Sequence, residues 1–194
     1  MRNGEVKRKT AETEIAVSVE LDGSGKADVS TGIGFFDHML TLFAAHGLLD
    51  LTVRCKGDIE VDGHHSVEDI GIALGQALGQ ALGDKRGIAR YGTFFLPMDE
   101  ALAFVSLDIS GRPFLVYEGG EMAPMIGSYD TELTEEFLRA VAVHAGLTLH
   151  VRTLYGKNSH HKVEAIFKAL GHALRIAAAK DPRVEGIPST KGVL

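Results

Sequence analysis

The chain has 194 residues, of which 45% are hydrophobic and 24% are charged, as in ordinary globular proteins. Its formal net charge of −6 argues against non-specific nucleic-acid binding, which needs a basic surface, but leaves room for a local cationic pocket that binds a small anion. A single cysteine, Cys55, excludes a disulfide within the chain, and without a signal-like segment or a run of about 18 apolar residues we expect a cytoplasmic protein with no membrane partner.

The first half of the chain is predicted to fold as β-β-α-β-α. Alternating apolar residues predict a strand at residues 15–21, and the Asp-Gly-Ser-Gly segment that follows favours a tight turn. We therefore expect a hairpin whose second strand is residues 27–30. Apolar residues at helical spacing predict helices at residues 35–48 and 66–82, with a short strand at residues 51–55 between them.

The second half is predicted to repeat this order. Strands are expected at residues 101–109 and 114–117, a helix at 130–144, a strand at 147–152 and a final helix at 160–179. Each half then offers a small sheet with two helices on one face. Because such faces must be buried, we expect an α+β protein in which the helices pack between two sheets.

An internal repeat accounts for this symmetry. Residues 64–81 and 160–177 are related by a constant offset of 96, with 11 of 18 positions identical, where chance would give about one. At an offset of 98, residues 37–40 (DHML) correspond to residues 135–138 (EEFL). The chain is therefore predicted to be one domain built from two repeats that are related by a pseudo-two-fold axis. The two repeats are approximately residues 1–94 and 95–194.

Each repeat carries the sequence His-His-x-x-Glu at the start of its last helix. The six residues are His64, His65, Glu68, His160, His161 and Glu164. The first histidine and the glutamate of each motif share a helix face, so they can offer an imidazole nitrogen and a carboxylate oxygen to one ion. The second histidine points about 100° away and cannot easily serve that ion. The doubled motif therefore predicts two metal sites, each combining histidines of both repeats.

The alternative to metal binding is a purely structural role, because one such motif alone is more often a surface ion pair. The repeats have diverged at neighbouring positions such as Ser66 and Lys162, yet each has both histidines and the glutamate. Helix capping would need only one Asp or Ser, so we favour metal binding. Imidazole and carboxylate donors without cysteine indicate a first-row ion such as Mn, Fe, Co, Ni or Zn, and do not choose among these.

Long segments of the chain also resemble imidazoleglycerol-phosphate dehydratases, in the order and spacing of that family. The matching segments are GIGFFDHML (32–40), DGHHSVEDIGIALG (62–75), DKRGIARYG (84–92), MDEAL (98–102), DISGRP (108–113), NSHHKVEAIFKALGHALR (158–175) and PSTKGVL (188–194). The resemblance implies two halves like domain 2 of ribosomal protein S5, a homo-oligomer of 24 subunits, and two Mn²⁺ ions per active site, located between subunits. It also implies that the chain dehydrates imidazole glycerol phosphate to imidazole acetol phosphate in histidine biosynthesis.

The resemblance assigns roles to individual residues. The implied metal ligands are His38, His64, His65, Glu68, Glu136, His160, His161 and Glu164, and the implied phosphate-binding residues are Arg90, Arg112, Lys168, Ser189 and Lys191. Such guanidinium and ammonium groups suit a dianionic phosphate. Glu12 matches a position that contacts substrate, and it joins Glu68 and Glu164 as a candidate catalytic residue, with Glu14 as a weaker alternative. The chain departs from the family at Glu136, Gly63 and Leu42, where histidine, aspartate and glutamine are common.

Two other functions stay open from the residues alone. A di-metal phosphoester hydrolase could use the same donors to activate water, and release of phosphate would distinguish it from a dehydratase. A non-catalytic metal-binding oligomeric shell would need the His/Glu sites but no anion pocket, so an Arg112→Ala substitution would leave it unaffected. The cationic residues favour the enzyme.

Overall fold

The computed structural model describes all 194 residues, Met1 to Leu194, and each half forms one four-stranded sheet with two helices. The first half contains β1 (Asn3–Lys9), β2 (Thr13–Glu20), β3 (Ala27–Ser30), α1 (Gly34–Gly47), β4 (Asp50–Gly57) and α2 (His64–Leu82). The second half contains β5 (Tyr91–Met98), β6 (Ala101–Asp108), β7 (Phe114–Glu118), β8 (Met125–Ile126), β9 (Tyr129–Asp130), α3 (Leu133–Ala145), β10 (Thr148–Tyr155) and α4 (Ser159–Ala178). The predicted α+β class is confirmed, but each half has one strand more than predicted at its start.

The two sheets share one topology, with strand orders β1-β2-β4-β3 and β5-β6-β10-β7. In each sheet the last strand runs parallel to its neighbour, and the other pairs are antiparallel. The predicted hairpin is therefore wrong, because β2 and β3 lie on opposite sides of β4. Asp50 explains the path: its carboxylate accepts the backbone N–H groups of Ser24 at 2.8 Å and Lys26 at 3.0 Å, which draws the chain past β2 to the far side of β4.

The unpredicted strands β1 and β5 each lie against a helix through one glycine. A Cβ atom on Gly4 would lie 2.0 Å from the carbonyl oxygen of Ala77 in α2, and one on Gly92 would lie 1.9 Å from that of Ala173 in α4. Only glycine allows such an approach, although glycine weakens a strand pattern in the sequence. Because β5 takes the place of β1, the predicted division at residues 94 and 95 falls inside β5, and we place the start of the second repeat at Tyr91.

The four helices form the layer between the two sheets, as predicted. Helix α1 packs on α4 and α2 packs on α3, so each helix pair joins the two halves. The contacts repeat in atomic detail: a Cβ on Gly75 would lie 2.9 Å from Val141 O, and one on Gly171 would lie 2.6 Å from Phe43 O. These positions correspond through the offsets of 96 and 98, as a pseudo-two-fold relation requires. None of the helices combines the length and the apolar character that a membrane crossing needs.

Three buried phenylalanines anchor the helix ends that carry the candidate site. The ring of Phe36 meets that of Phe137 edge-on at 5.1 Å, and Phe137 stacks on Phe167 at 5.4 Å. All three side chains are at most 1% exposed. Each ring lies within three residues of a predicted ligand in sequence, so the core fixes the helix faces from which those ligands extend.

Candidate metal centre

The two His-His-x-x-Glu motifs occupy the first turns of α2 and α4, where local hydrogen bonds set their direction. Asn158 caps α4, since its side-chain oxygen accepts the backbone N–H groups of His160 at 2.9 Å and His161 at 3.4 Å. At α2, Asp62 accepts the N–H of His64 at 2.7 Å. These bonds satisfy donors that the helix itself leaves free. The first turn of each helix is thereby held, and its side chains leave in defined directions.

The second motif meets a residue of the first repeat in what we call the α4 cluster, made of His38, His160 and Glu164. The three side chains each offer a ligand atom within 4.8 Å of the others. Glu164 Oε2 lies 3.0 Å from Nε2 of His160 and 3.5 Å from Nε2 of His38. His38 comes from α1, and the other two come from α4. The α4 cluster therefore joins residues of both repeats, but its first-repeat member is His38 and not a histidine of the first His-His-x-x-Glu motif.

The carboxylate of Glu164 is buried but ionised. Burial alone would raise its pKa, but Lys168 outweighs this by hydrogen bond and charge, and with help from His160 and His38 the pKa is lowered. Lys168 Nζ lies 2.5 Å from Glu164 Oε1, so this predicted phosphate-binding residue touches the α4 cluster. An anionic carboxylate next to two imidazoles is suited to a divalent cation.

The first motif forms a looser counterpart that we call the α2 cluster, made of His64, Glu68 and Glu136, whose ligand atoms do not converge as those of the α4 cluster do. His64 Nε2 lies 3.8 Å from Glu68 Oε2, and Glu68 lines one shallow pocket with Glu136, Arg139 and His144. Glu136 occupies the place that His38 has in the α4 cluster. The α2 cluster is more open, because the Glu68 side chain is 47% exposed and that of Glu164 is 8% exposed. Arg139 lies 3.8 Å from Glu136 and closer to Glu135, at 2.5 Å.

The second histidine of each motif turns to a different carboxylate. His65 Nδ1 lies 3.0 Å from Asp58 Oδ2, and His161 Nδ1 lies 2.7 Å from Glu100 Oε2. The hydrogen bond with Asp58 raises the pKa of His65, and the bond with Glu100 raises that of His161. These two imidazoles are therefore oriented by groups outside the α2 and α4 clusters.

The donor sets fit a metal ion of the predicted kind. Imidazole and carboxylate groups without thiolate suit Mn, Fe, Co, Ni or Zn. Three donors in one cluster leave further coordination positions open, because octahedral ions take six ligands. The structure brings three of the eight predicted ligands, His38, His160 and Glu164, within ligand distance of one another. The three residues of the α2 cluster are more loosely grouped, and His65 and His161 turn to other carboxylates.

Four of the five predicted phosphate-binding residues lie near one corner of the second half. The guanidinium of Arg90 donates to both carboxylate oxygens of Asp108, at 2.7 and 3.1 Å, and to the carbonyl of Pro188 at 2.8 Å. Arg112 lies 3.6 Å from Asp108 and its side chain is 66% exposed. The C-terminal segment with Ser189 and Lys191 follows Pro188, and its end reaches Gly111. The corner therefore presents cations beside a short C-terminal segment.

Glu12 and Glu14 are separated by their surroundings. Glu12, on the turn between β1 and β2, is 52% exposed, and its Oε1 lies 3.7 Å from Nε2 of His65. Glu14 instead bonds Lys9 Nζ at 2.8 Å, which lowers the pKa of Glu14. Of the two carboxylates, Glu12 is the one beside a predicted metal ligand.

Asp58 and Glu100 were not among the residues that the sequence reasoning assigned. Glu100 lies in the MDEAL segment, which carried part of the family resemblance but no stated role. The sequence does contain a pattern that relates Glu100 to Glu12: Gly4 and Gly92 are 88 residues apart, and so are Glu12 and Glu100. Alignment of the first two strands of each repeat would have paired the two glutamates, but β1 and β5 were themselves missed.

Comparison with known proteins finds close similarity along the whole chain. Residues 31–174 match the sequence family described as imidazoleglycerol-phosphate dehydratase. A protein of that name from Acetivibrio thermocellus is 61% identical over 193 residues, which covers 100% of this chain and 99% of its own. The crystal structure of such an enzyme from Staphylococcus aureus is 43% identical with a TM-score of 0.84, and covers 92% of this chain and 99% of its own. The crystal structure of such an enzyme from Pyrococcus furiosus is 38% identical with a TM-score of 0.83, and the match covers 97% of this chain and 100% of its own.

Proposed function

The chain belongs to the imidazoleglycerol-phosphate dehydratase family, and we propose on that basis that its α2 and α4 clusters hold the metal ions of the active site. As a member of that family the protein is a hydro-lyase of histidine biosynthesis, and it converts D-erythro-imidazole glycerol phosphate to imidazole acetol phosphate. The observation that carries the proposal for the site is the α4 cluster, in which two imidazoles face one buried, ionised carboxylate.

The proposed metal is Mn²⁺, with two ions per active site. The ligands would be the α2 and α4 clusters together with His65 and His161. A dication bound there supplies positive charge that makes loss of a proton from the substrate's imidazole ring easier. The chain's own part is to fix the positions of the donors, and the hydrogen bonds from Asn158 and Asp62 support this role.

We propose that neighbouring subunits complete the sites in a homo-oligomer of 24 subunits. The support is that the donor sets within one chain are incomplete: the α4 cluster supplies only three donors, while His65 and His161 of the same chain turn to Asp58 and Glu100. A neighbour that presents these two histidines would fill open coordination positions. Symmetric assemblies form such repeated contacts readily, because one surface patch serves every subunit.

Substrate binding and proton transfer are assigned to residues around the clusters. Arg90, Arg112, Lys168, Ser189 and Lys191 are proposed to bind the phosphate group. Fork-shaped guanidinium groups suit phosphate oxygens, and a fixed phosphate would orient the imidazole end of the substrate towards the metal ligands. Glu12 is proposed to move a proton to or from the substrate, since it is exposed and lies beside His65. Glu68 and Glu164 would act as catalytic residues through their contact with the ions.

Metal removal tests the proposal directly. Protein treated with a chelator and then freed of it should lose dehydratase activity and regain it when Mn²⁺ is added. Product formation and phosphate release are measured in parallel, because release of phosphate without the ketone would indicate a hydrolase. Undiminished activity in protein that contains no metal by elemental analysis would overturn the proposed metal sites, although it would leave the family assignment untouched.

A further inference from the structure

We propose that Glu100 and Asp58 are positioning residues that lock the imidazoles of His161 and His65 with Nδ1 as hydrogen-bond donor, so that Nε2 is free to bind a metal ion. The inference rests on the proposed metal sites and extends them to two carboxylates outside the ligand set. Each carboxylate forms a hydrogen bond with one imidazole. The second histidine of each repeat is therefore oriented in the same way, although the two carboxylates come from different loops.

Glu100 is held more firmly than an ordinary surface glutamate. Its Oε1 accepts the backbone N–H groups of Lys157 at 3.0 Å and Asn158 at 2.7 Å, which leaves Oε2 to meet His161 Nδ1 at 2.7 Å. With Oε1 already occupied by two backbone donors, the Glu100 carboxylate presents Oε2 to the ring as an acceptor, so Nδ1 of His161 is the donor and carries the proton.

The consequence for His161 is a fixed tautomer. With its proton on Nδ1, the neutral imidazole has its lone pair on Nε2, which is the atom that would bind a metal. Nε2 makes no hydrogen bond, and its nearest carboxylate, on Asp99, lies 3.8 Å away. Carboxylates that orient metal-binding histidines in this way raise their basicity and fix the ring direction.

Asp58 does the same for His65 from another part of the first repeat. Both of its carboxylate oxygens face His65 Nδ1, at 3.0 and 3.2 Å, and neither has another hydrogen-bonded partner. His65 Nε2 is likewise free of a hydrogen bond, with Glu12 Oε1 at 3.7 Å. Asp58 lies in the loop between β4 and α2, whereas Glu100 lies on the turn between β5 and β6.

This difference explains why the equivalent glutamates Glu12 and Glu100 have separate tasks. Both occupy the turn between the first two strands of their repeat, 88 residues apart. In the second repeat the glutamate is committed to His161 and to the start of α4. In the first repeat Asp58 forms the hydrogen bond with Nδ1 of His65. The carboxylate of Glu12 therefore lies on the Nε2 side of His65, where a substrate could reach it.

The two positions respond differently to an amide, which gives a sharp test. In a Glu100→Gln variant the side-chain oxygen is needed by two backbone N–H groups, so the NH₂ group faces Nδ1 of His161 and forces that nitrogen to accept. The proton then moves to Nε2 and blocks the metal. In Asp58→Asn the amide is free to turn its oxygen to Nδ1 of His65, so the metal-binding tautomer survives.

Mn²⁺ affinity of the full-length protein, measured by calorimetry and by elemental analysis after gel filtration, is the readout. We expect Glu100→Gln to lose about 10–100-fold in affinity at the sites that include His161, and Asp58→Asn to lose much less. Asp58→Ala, which leaves Nδ1 without an acceptor, should resemble Glu100→Gln. Glu118→Gln is the matched control for loss of a charge, because Glu118 pairs with Arg152 and touches no histidine.

The outcomes separate this inference from the proposed function. Wild-type protein that binds no Mn²⁺ would overturn the metal sites themselves. If the wild-type protein binds Mn²⁺ and the Glu100→Gln variant binds it equally tightly, the positioning role alone would be overturned. Equal losses in Glu100→Gln and Asp58→Asn would show a simple effect of charge, which also contradicts the tautomer argument. Circular dichroism of the metal-free variants establishes whether each is folded. If Glu100→Gln does not fold, the Mn²⁺ affinity of Asp58→Ala provides the test.

Discussion

His46 and His172 form a half-buried pair of imidazoles where α1 crosses α4. Their ring nitrogens are 3.2 Å apart, and the ring of His172 stacks on Phe94 at 4.1 Å. Burial, followed by the charge of Lys168, lowers the pKa of His46, although Glu164 opposes this. Burial, followed by the charge of Arg175, lowers that of His172. Both residues are therefore neutral in the folded protein at pH values where an exposed histidine would be protonated.

This depression predicts how stability depends on pH. Below an unfolded pKa of about 6.5, the unfolded chain binds more protons at these positions than the folded chain does, so stability falls as the pH is lowered. We expect a His172→Gln variant, which carries the residue found at the equivalent Gln76, to lose less stability between about pH 7.5 and about pH 5.5. Urea unfolding of metal-free protein measures this, with His150→Gln on the exposed face of β10 as the control. Identical acid sensitivity in all three proteins would contradict the argument.

At the scale of elements, the contacts between the two halves depend on glycines at helix crossings. Gly171 of α4 lies against the backbone of α1, and Gly75 of α2 lies against that of α3. Glycine costs a helix about 1 kcal/mol relative to alanine, so its presence inside α2 and α4 is explained by the close approach that it permits. The same crossings place His38 beside α4 and Glu136 beside α2, which assembles the two clusters.

A pair of glycine substitutions tests this reading of the helix crossings. In Gly171→Ala the new methyl group would lie 2.6 Å from Phe43 O, and we expect a net loss of about 1–3 kcal/mol in the free energy of unfolding. In Gly79→Ala the new methyl group would lie 3.6 Å from its nearest neighbour, His144 O, so helix propensity should raise stability by up to about 1 kcal/mol. Urea unfolding of metal-free protein gives both values. Equal stability of the two variants would refute the steric explanation.

At the scale of the whole molecule, one chain gathers only part of the proposed ligand set. The α4 cluster gathers three donors, while His161, next to His160 in sequence, is turned to Glu100. Adjacent histidines of one motif thus have different carboxylate partners, Glu164 for His160 and Glu100 for His161. If subunits share sites as proposed, His160 of one chain works with second histidines of a neighbour.

Mixed assemblies test this sharing between subunits. His160→Ala and His161→Ala should each be inactive alone, but co-assembled from a denatured mixture they should regain activity, because some sites then draw intact donors from both chains. A mixture of His160→Ala and Glu164→Gln is the control, since both residues lie in the α4 cluster and no site can escape both substitutions. Dehydratase activity is assayed after reassembly with Mn²⁺. If sizing chromatography shows intact particles but neither mixture regains activity, sites shared between subunits would be contradicted.

The limits of prediction are visible in particular residues. The helical periodicity of α2 and α4 and the doubled motif were readable because they are local and repeated. Strand β1 was missed because its residues are mostly charged and only Gly4 is buried, and β5 was missed because it lies where the halves join. The hairpin after β2 was wrong because turn residues show that a chain bends without showing which strand it meets next, and Asp50 decides that from 26 residues away.

The amino-acid sequence by itself determined the duplication, the helix faces and the candidate metal-binding groups, since these follow from spacing of a few residues and from self-similarity. Only the tertiary structure decided that His38 joins the motif of the other repeat, that Asp58 rather than Glu12 bonds Nδ1 of His65, and that Glu100 is anchored to the start of α4. Those outcomes depend on how sheets and helices from distant parts of the chain pack together, because hydrogen bonds of this length form only between groups that packing has already brought into contact.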